Sequence, residues 1–218
     1  MSQGISEASR IVRVLALHGS EGNGPEFAQR LEPLVESLSK HHVDLQLTAV
    51  TAPFAKGGGF AWWIMPPGVR SFAAKEFEGF EISASFLLDT MNEQGPFDAV
   101  LGHSQGAILI SALLALERFS AHPPMGYILN GVAVPNPYRE ELESLKVEES
   151  AAPRVLLVLG ENDNINPLES GEQVKSCMVQ AGLATSACYH PGGHSVPIND
   201  ENALQTISKW LIDGISDE

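Results

Sequence analysis

Strand-like and helix-like stretches alternate along this chain, and the clearest of the strand-like ones are apolar runs, not alternating patterns. Residues 11–17 hold only Arg13 among β-branched and aliphatic side chains, which suits a strand buried on both faces. Further strands are expected at 44–50, 97–101, 127–129, 154–159 and 184–189. Helical spacing fills the gaps: from Pro25 behind an Asn23 cap, with Pro33 kinking or splitting that helix, then 78–91 before Gly95, 107–116, and stretches near 169–180 and 201–212. This order implies an α/β fold, a doubly wound, mostly parallel six-stranded sheet with helices on both faces and no large lid domain. At 218 residues and 44% apolar content the chain suits one domain spanning 1–218, with 1–9 a disordered tail.

Between the second strand and the next helix lies APFAKGGGFAWWIMPPGVRSF, residues 52–72. Its glycine triplet and proline pair predict a stretch without regular structure, and its two tryptophans argue against disorder. Phe60, Trp62, Trp63, Ile64 and Met65 are candidates for the wall of an apolar substrate pocket, with plain core packing the competing reading. The acidic stretch 140–150 reads as a helical or looped surface insertion.

Charge excludes several function classes. Twenty-seven acidic against thirteen basic side chains leave a net charge of −14, which would repel nucleic acid and anionic membranes. The longest apolar run, 107–116, falls short of the roughly 18 residues that a bilayer crossing needs. The polar N-terminus has no secretory signal pattern, so a cytoplasmic protein is expected. Cys177 and Cys188 form no metal-type or disulfide pattern and are expected to be reduced.

Gly102-His103-Ser104-Gln105-Gly106 matches G-x-S-x-G between a strand and a helix. The position carries more weight than the pattern, since a sharp strand-to-helix turn leaves no room for side chains at 102 and 106 and lifts the serine hydroxyl above the sheet. A plain serine cap is the competing reading. A serine nucleophile needs a base, and in this architecture the chain order is nucleophile, acid, histidine. Asp163, in a loop after the strand 154–159, is the candidate acid, with Glu161 and Asp98 as rivals; Asp98 suits a structural hydrogen bond better. His194, in the glycine loop after the last strand, is the candidate base, and His190 at the strand end is its rival. His41, His42 and His122 read as structural.

Backbone N–H groups of Gln105, at the helix start, and of Ser20, in the turn after the first strand, are candidates for an oxyanion hole, with side-chain identity at 105 of less account. Gly19, Gly22 and Gly24 could also suggest a dinucleotide loop, yet they run G-x-x-G-x-G and Asp44 opens the next strand instead of ending it. No metal or nucleotide motif is present.

LHGSEGN, the Trp62-Trp63 pair, GPFDAVLGHSQGA, LGENDNINP and HPGGHSVP stand in the order found in the FSH family of serine hydrolases, which this chain resembles over nearly its whole length. Ser20 stands where a bulky apolar residue is common, and His103 where phenylalanine is frequent. The resemblance implies a Ser104, Asp163, His194 triad with Ser20 and Gln105 as oxyanion donors in a compact α/β-hydrolase. It also implies an esterase or thioesterase for small to medium acyl groups. Joined to the residue reading, it yields a carboxylic ester hydrolase working through an acyl-enzyme, with a thioesterase as the alternative and a silent binding module as the third reading. The expected partner is a small acyl ester or thioester. A homodimer is compatible with this reading, and no cofactor, metal, nucleic acid or integral membrane association is expected.

Overall fold

The computed structural model describes residues 10–119, 123–148 and 152–214. The tail 1–9, His122 and the last part of the acidic stretch lie outside the described residues. β1 (Arg10–Leu17), β2 (Val43–Val50), β5 (Ala99–His103), β6 (Gly126–Asn130), β7 (Arg154–Gly160) and β8 (Ala184–His190) form one sheet in the order β2-β1-β5-β6-β7-β8, with every neighbouring pair parallel. Strand order reverses between β1 and β5, whose carboxyl ends lie side by side at Leu17 and Gly102. Open α/β sheets bind ligands in the crevice at such a reversal.

The central strands are apolar because both faces are covered. Leu15, Leu17, Val100, Tyr127, Leu129, Val155, Leu157 and Leu159 pack into one core with α3 (Phe80–Gln94), α4 (Gln105–Ala115), α5 (Arg139–Ser144) and α6 (Leu168–Gln180). Val12, Val14, Ala16, Ala99, Leu101, Ile128, Leu156 and Val158 face α1 (Gly24–Arg30), α2 (Glu32–Ser39) and α7 (Glu201–Asp213) on the other side. All eleven residues of α4 are buried, so the helix leaving Ser104 is fixed from every direction. No helix of the described residues is long and apolar enough to cross a membrane.

Local chemistry sets the boundaries. The Asn23 side chain accepts from Glu26 N at 2.9 Å and caps α1. α1 and α2 separate at Leu31, and Pro33 falls in the first turn of α2, where its missing N–H costs nothing. β5 starts two residues later than its apolar pattern predicts. Asp98 is held outside the ladder by donating its N–H to Arg13 O at 2.8 Å while its carboxylate accepts from Arg13 N at 2.7 Å.

The stretch after β2 is a correction. It carries the antiparallel hairpin β3 (Phe54–Lys56) and β4 (Gly59–Ala61), where no regular structure was expected. Gly57 and Gly58 have φ of 58° and 86°, so the glycines that read as breakers make a two-residue type I′ turn. Phe60 N donates to Gly22 O at 2.8 Å and Glu21 N to Phe60 O at 2.7 Å, so the hairpin grips the loop after β1. That grip, with Gly24 N bonded to Thr51 Oγ1 at 3.0 Å, leaves the 19–24 loop unlike an open phosphate cradle.

Candidate active site

Ser104 has φ 53° and ψ −117°, a conformation sparsely open to L-residues, between the end of β5 and the start of α4. A Cβ at Gly102 would meet Ala107 N at 2.5 Å, and one at Gly106 would meet Leu17 O at 2.5 Å. Both glycines are therefore required by the closeness of the turn to α4 and β1. The strain at Ser104 persists because the surrounding core holds both sides of the turn.

Three side chains from three loops meet at this turn. His194 Nε2 lies 2.8 Å from Ser104 Oγ, and His194 Nδ1 lies 2.6 Å from Asp163 Oδ2. A carboxylate only accepts, so Nδ1 carries the proton and Nε2 presents its lone pair to the hydroxyl. Asp163 is held in turn: its Oδ1 accepts from Ile165 N at 2.8 Å and Asn166 N at 2.9 Å. The loops bearing Asp163 and His194 are tied together by Asn162 N to Gly192 O at 3.1 Å and Asn162 Nδ2 to Pro191 O at 2.7 Å. Gly131, at φ 57°, lets the backbone pass close to the ring, since a Cβ there would stand 3.1 Å from His194 Cε1.

The rivals lie elsewhere. His190 is buried at the end of β8 and accepts from Gly192 N at 3.2 Å, shaping the loop that carries His194. Asp98 lies at the amino end of β5, bonded to Arg13 of β1, and Glu161 is exposed. His41 and His42 lie exposed between α2 and β2. Cys177 and Cys188 are free thiols. Among the described residues, no group of three or more His, Cys, Asp or Glu side chains is placed to hold a metal.

Two further histidines support the site, and neither role shows in the sequence. His18 Nε2 accepts from Ala52 N at 3.0 Å, so Nδ1 donates to Gly19 O at 2.6 Å, and burial holds its pKa down. His103 accepts from Asn130 Nδ2 at 2.7 Å and its ring centroid lies 5.0 Å from that of His194. Burial, with the charge of His194 second, lowers its pKa to about 3. A neutral His103 adds no second cation beside His194.

Gln105 opens α4, so its backbone N–H has no intrahelical acceptor. Its side chain, by contrast, is engaged: Oε1 accepts from Trp62 N at 3.0 Å and Nε2 donates to Trp63 O at 3.3 Å. Identity at 105 thus matters more than its place at the turn suggests. Trp62 and Trp63 are both fully buried, Trp62 donating its ring N–H to His18 O at 2.8 Å and Trp63 stacking on Phe77 with ring centroids 4.2 Å apart. They back the site and do not face the cleft, and Phe60 is bonded to Gly22 beside them. Of the five candidates only Met65 lines the cleft of about 730 Å³, whose wall is residues 65–71 with Ile165 and Asn166 and which reaches Ser20, Ser104, Gln105 and His194. A second, smaller cleft of about 150 Å³ reaches Ser20, Ser104 and His194 from the side of α1 and His103. Their shared residues put Ser104 where the two clefts meet.

Similarity to known proteins agrees with this geometry. The family model described as serine hydrolase (FSH1) matches residues 8–206. The chain is similar to esterase OVCA2 of Danio rerio, 26% identical over 85% of this chain and 90% of that one, and to esterase C25G4.2 of Caenorhabditis elegans, 26% identical over 85% and 86%. Among solved structures it resembles the Bacillus cereus carboxylesterase at a TM-score of 0.69 and 19% identity, covering 98% of this chain and 92% of that one. It also resembles Zea mays acyl-protein thioesterase 2 at 0.71 and 19%, covering 96% of each. At these identities, the two structures speak to the α/β-hydrolase fold.

Proposed function

The chain belongs to the serine hydrolase (FSH1) family, and from that premise we propose that it hydrolyses carboxylic esters of small to medium hydrophobic acyl groups through Ser104, His194 and Asp163. The observation that carries this reading is the hydrogen-bonded line from the Ser104 hydroxyl through His194 to Asp163 at a strained, glycine-flanked turn. Ser104 Oγ attacks the ester carbonyl while its proton passes to His194 Nε2, and Asp163 stabilises the imidazolium that forms. The carbonyl oxygen, now an oxyanion, accepts from the N–H groups of Gln105 and Ser20. Collapse breaks the bond to the alkoxy group, which leaves as the alcohol with the proton from His194. Water then enters, gives a proton to Nε2 and attacks the acyl-enzyme, and the reverse transfer frees the acid and restores Ser104.

Met65, Pro66, Pro67, Val69 and Ile165 favour the larger cleft for the acyl chain, which leaves the smaller one for the leaving group. A thioester would use the same residues and differ only in the leaving atom. Matched p-nitrophenyl esters and acyl thioesters, acetyl to lauroyl, test both readings. The expected result is ester turnover with kcat/KM rising by up to about fourfold per methylene until the cleft fills. Faster thioester turnover at every chain length would transfer the assignment to the thioesterase, and no turnover of either series would overturn it.

A further inference from the structure

The hairpin β3–β4 brings a cation to the corner where the oxyanion is expected. Lys56, the last residue of β3, donates from Nζ to Ser20 Oγ at 3.0 Å, and both residues line the larger cleft with Ser104, Gln105 and His194. The position is built. The type I′ turn at Gly57 and Gly58 follows Lys56 directly, and the backbone bonds of Phe60 with Glu21 and Gly22 fix the hairpin against the loop that carries Ser20. Glu21 holds φ 65° in that loop, and its carboxylate lies 3.8 Å from Nζ, which restrains the ammonium from a second side. An ammonium only donates, so Ser20 Oγ uses a lone pair to receive it and keeps its own hydrogen to give. Among the described residues no group accepts that hydrogen.

Resting on the reading of Ser104 as nucleophile, we propose that Ser20 Oγ–H is a third donor to the oxyanion, with Lys56 a positioning residue that orients and polarises it. A hydroxyl that accepts from a cation is a stronger donor, because the charge draws electron density from the O–H bond. The benefit grows as negative charge develops on the carbonyl oxygen, so it falls on kcat and not on substrate binding.

The test is a double-substitution cycle of Ser20→Ala and Lys56→Met, read by kcat and KM on p-nitrophenyl butyrate and by Kd for an alkyl boronic acid, whose tetrahedral adduct on serine mimics the oxyanion. Each single variant is expected to lose about tenfold to a hundredfold in kcat with KM within about twofold, and to bind the boronic acid more weakly by a similar factor. The double variant should lose little more than the worse single one. Lys56→Arg, which keeps a cation near the hydroxyl, should recover part of the loss, and melting temperatures show which variants remain folded. A full Lys56→Met effect on the Ser20→Ala background, or no effect on the parent, overturns the proposal. Stoichiometric fluorophosphonate labelling of the parent separates such a failure from failure of the nucleophile assignment, and a parent that takes no label removes both.

Discussion

At Ser104 the backbone is strained so that one hydroxyl can stand above a sheet, and the cost is met by neighbours that cannot relax. Gly106→Ala places a Cβ 2.5 Å from Leu17 O, so it should destabilise the fold by about 1–3 kcal/mol in chemical denaturation. Asp163→Asn breaks the tautomer control of His194 at little cost in volume. Its kcat on p-nitrophenyl butyrate should fall by about 10⁴ with the melting temperature nearly unchanged, whereas Asp98→Asn should lower stability and leave kcat within a few-fold. The opposite pattern would move the acid to Asp98. That Ser104, His194 and Asp163 would meet was legible in the sequence, because each sits in a loop of fixed chain order with glycines or a turn beside it, and hydrogen bonds join the three. The carboxamide of Gln105 was not legible. Its partners, Trp62 and Trp63, are 43 and 42 residues away, and no local pattern reports a contact of that range.

Elements were legible where burial fixes their period. The sheet strands and the main helices follow from residue spacing: the central strands β1, β5, β6 and β7 are covered on both faces and apolar nearly throughout, while the edge strands β2 and β8 alternate with polar residues. The hairpin was hidden because three consecutive glycines have no side-chain pattern, and only the backbone angles distinguish a type I′ turn from a loop. Two large aromatics in the same stretch suggested a pocket wall, although they fill the core beside α3 and α4. Trp62→Ala should therefore cost about 3–5 kcal/mol without moving the acyl-length optimum of the variant that remains folded. Met65→Ala and Ile165→Ala, which open the cleft itself, should shift that optimum to longer chains in a p-nitrophenyl ester series. An optimum that moves with Trp62 and not with Met65 would restore the tryptophans to the pocket.

For the whole molecule, the reversal of strand order between β1 and β5 explains why one end of a sheet can gather Ser20, Ser104, Gln105, Asp163 and His194 from distant parts of the chain. It also sets a pH dependence. His18, His103 and His190 all have pKa values lowered by burial, that of His103 to about 3. Below the ordinary value of about 6.5 the unfolded chain binds protons that the folded chain refuses, so these rings make stability fall as pH falls. The His103 share runs from about pH 6.5 down to about 3 and is complete above that window. Urea unfolding at pH 7 and pH 5 should show lower stability at pH 5, and His103→Phe should shrink the difference. An unchanged slope in that variant would mean that His103 is protonated in the folded chain. Whether this fold activates one serine is read from intact mass after exposure to a fluorophosphonate. A single adduct is expected on the parent and none on folded Ser104→Ala, and labelling that persists on the variant, or never forms on the parent, would overturn the assignment of Ser104 as nucleophile.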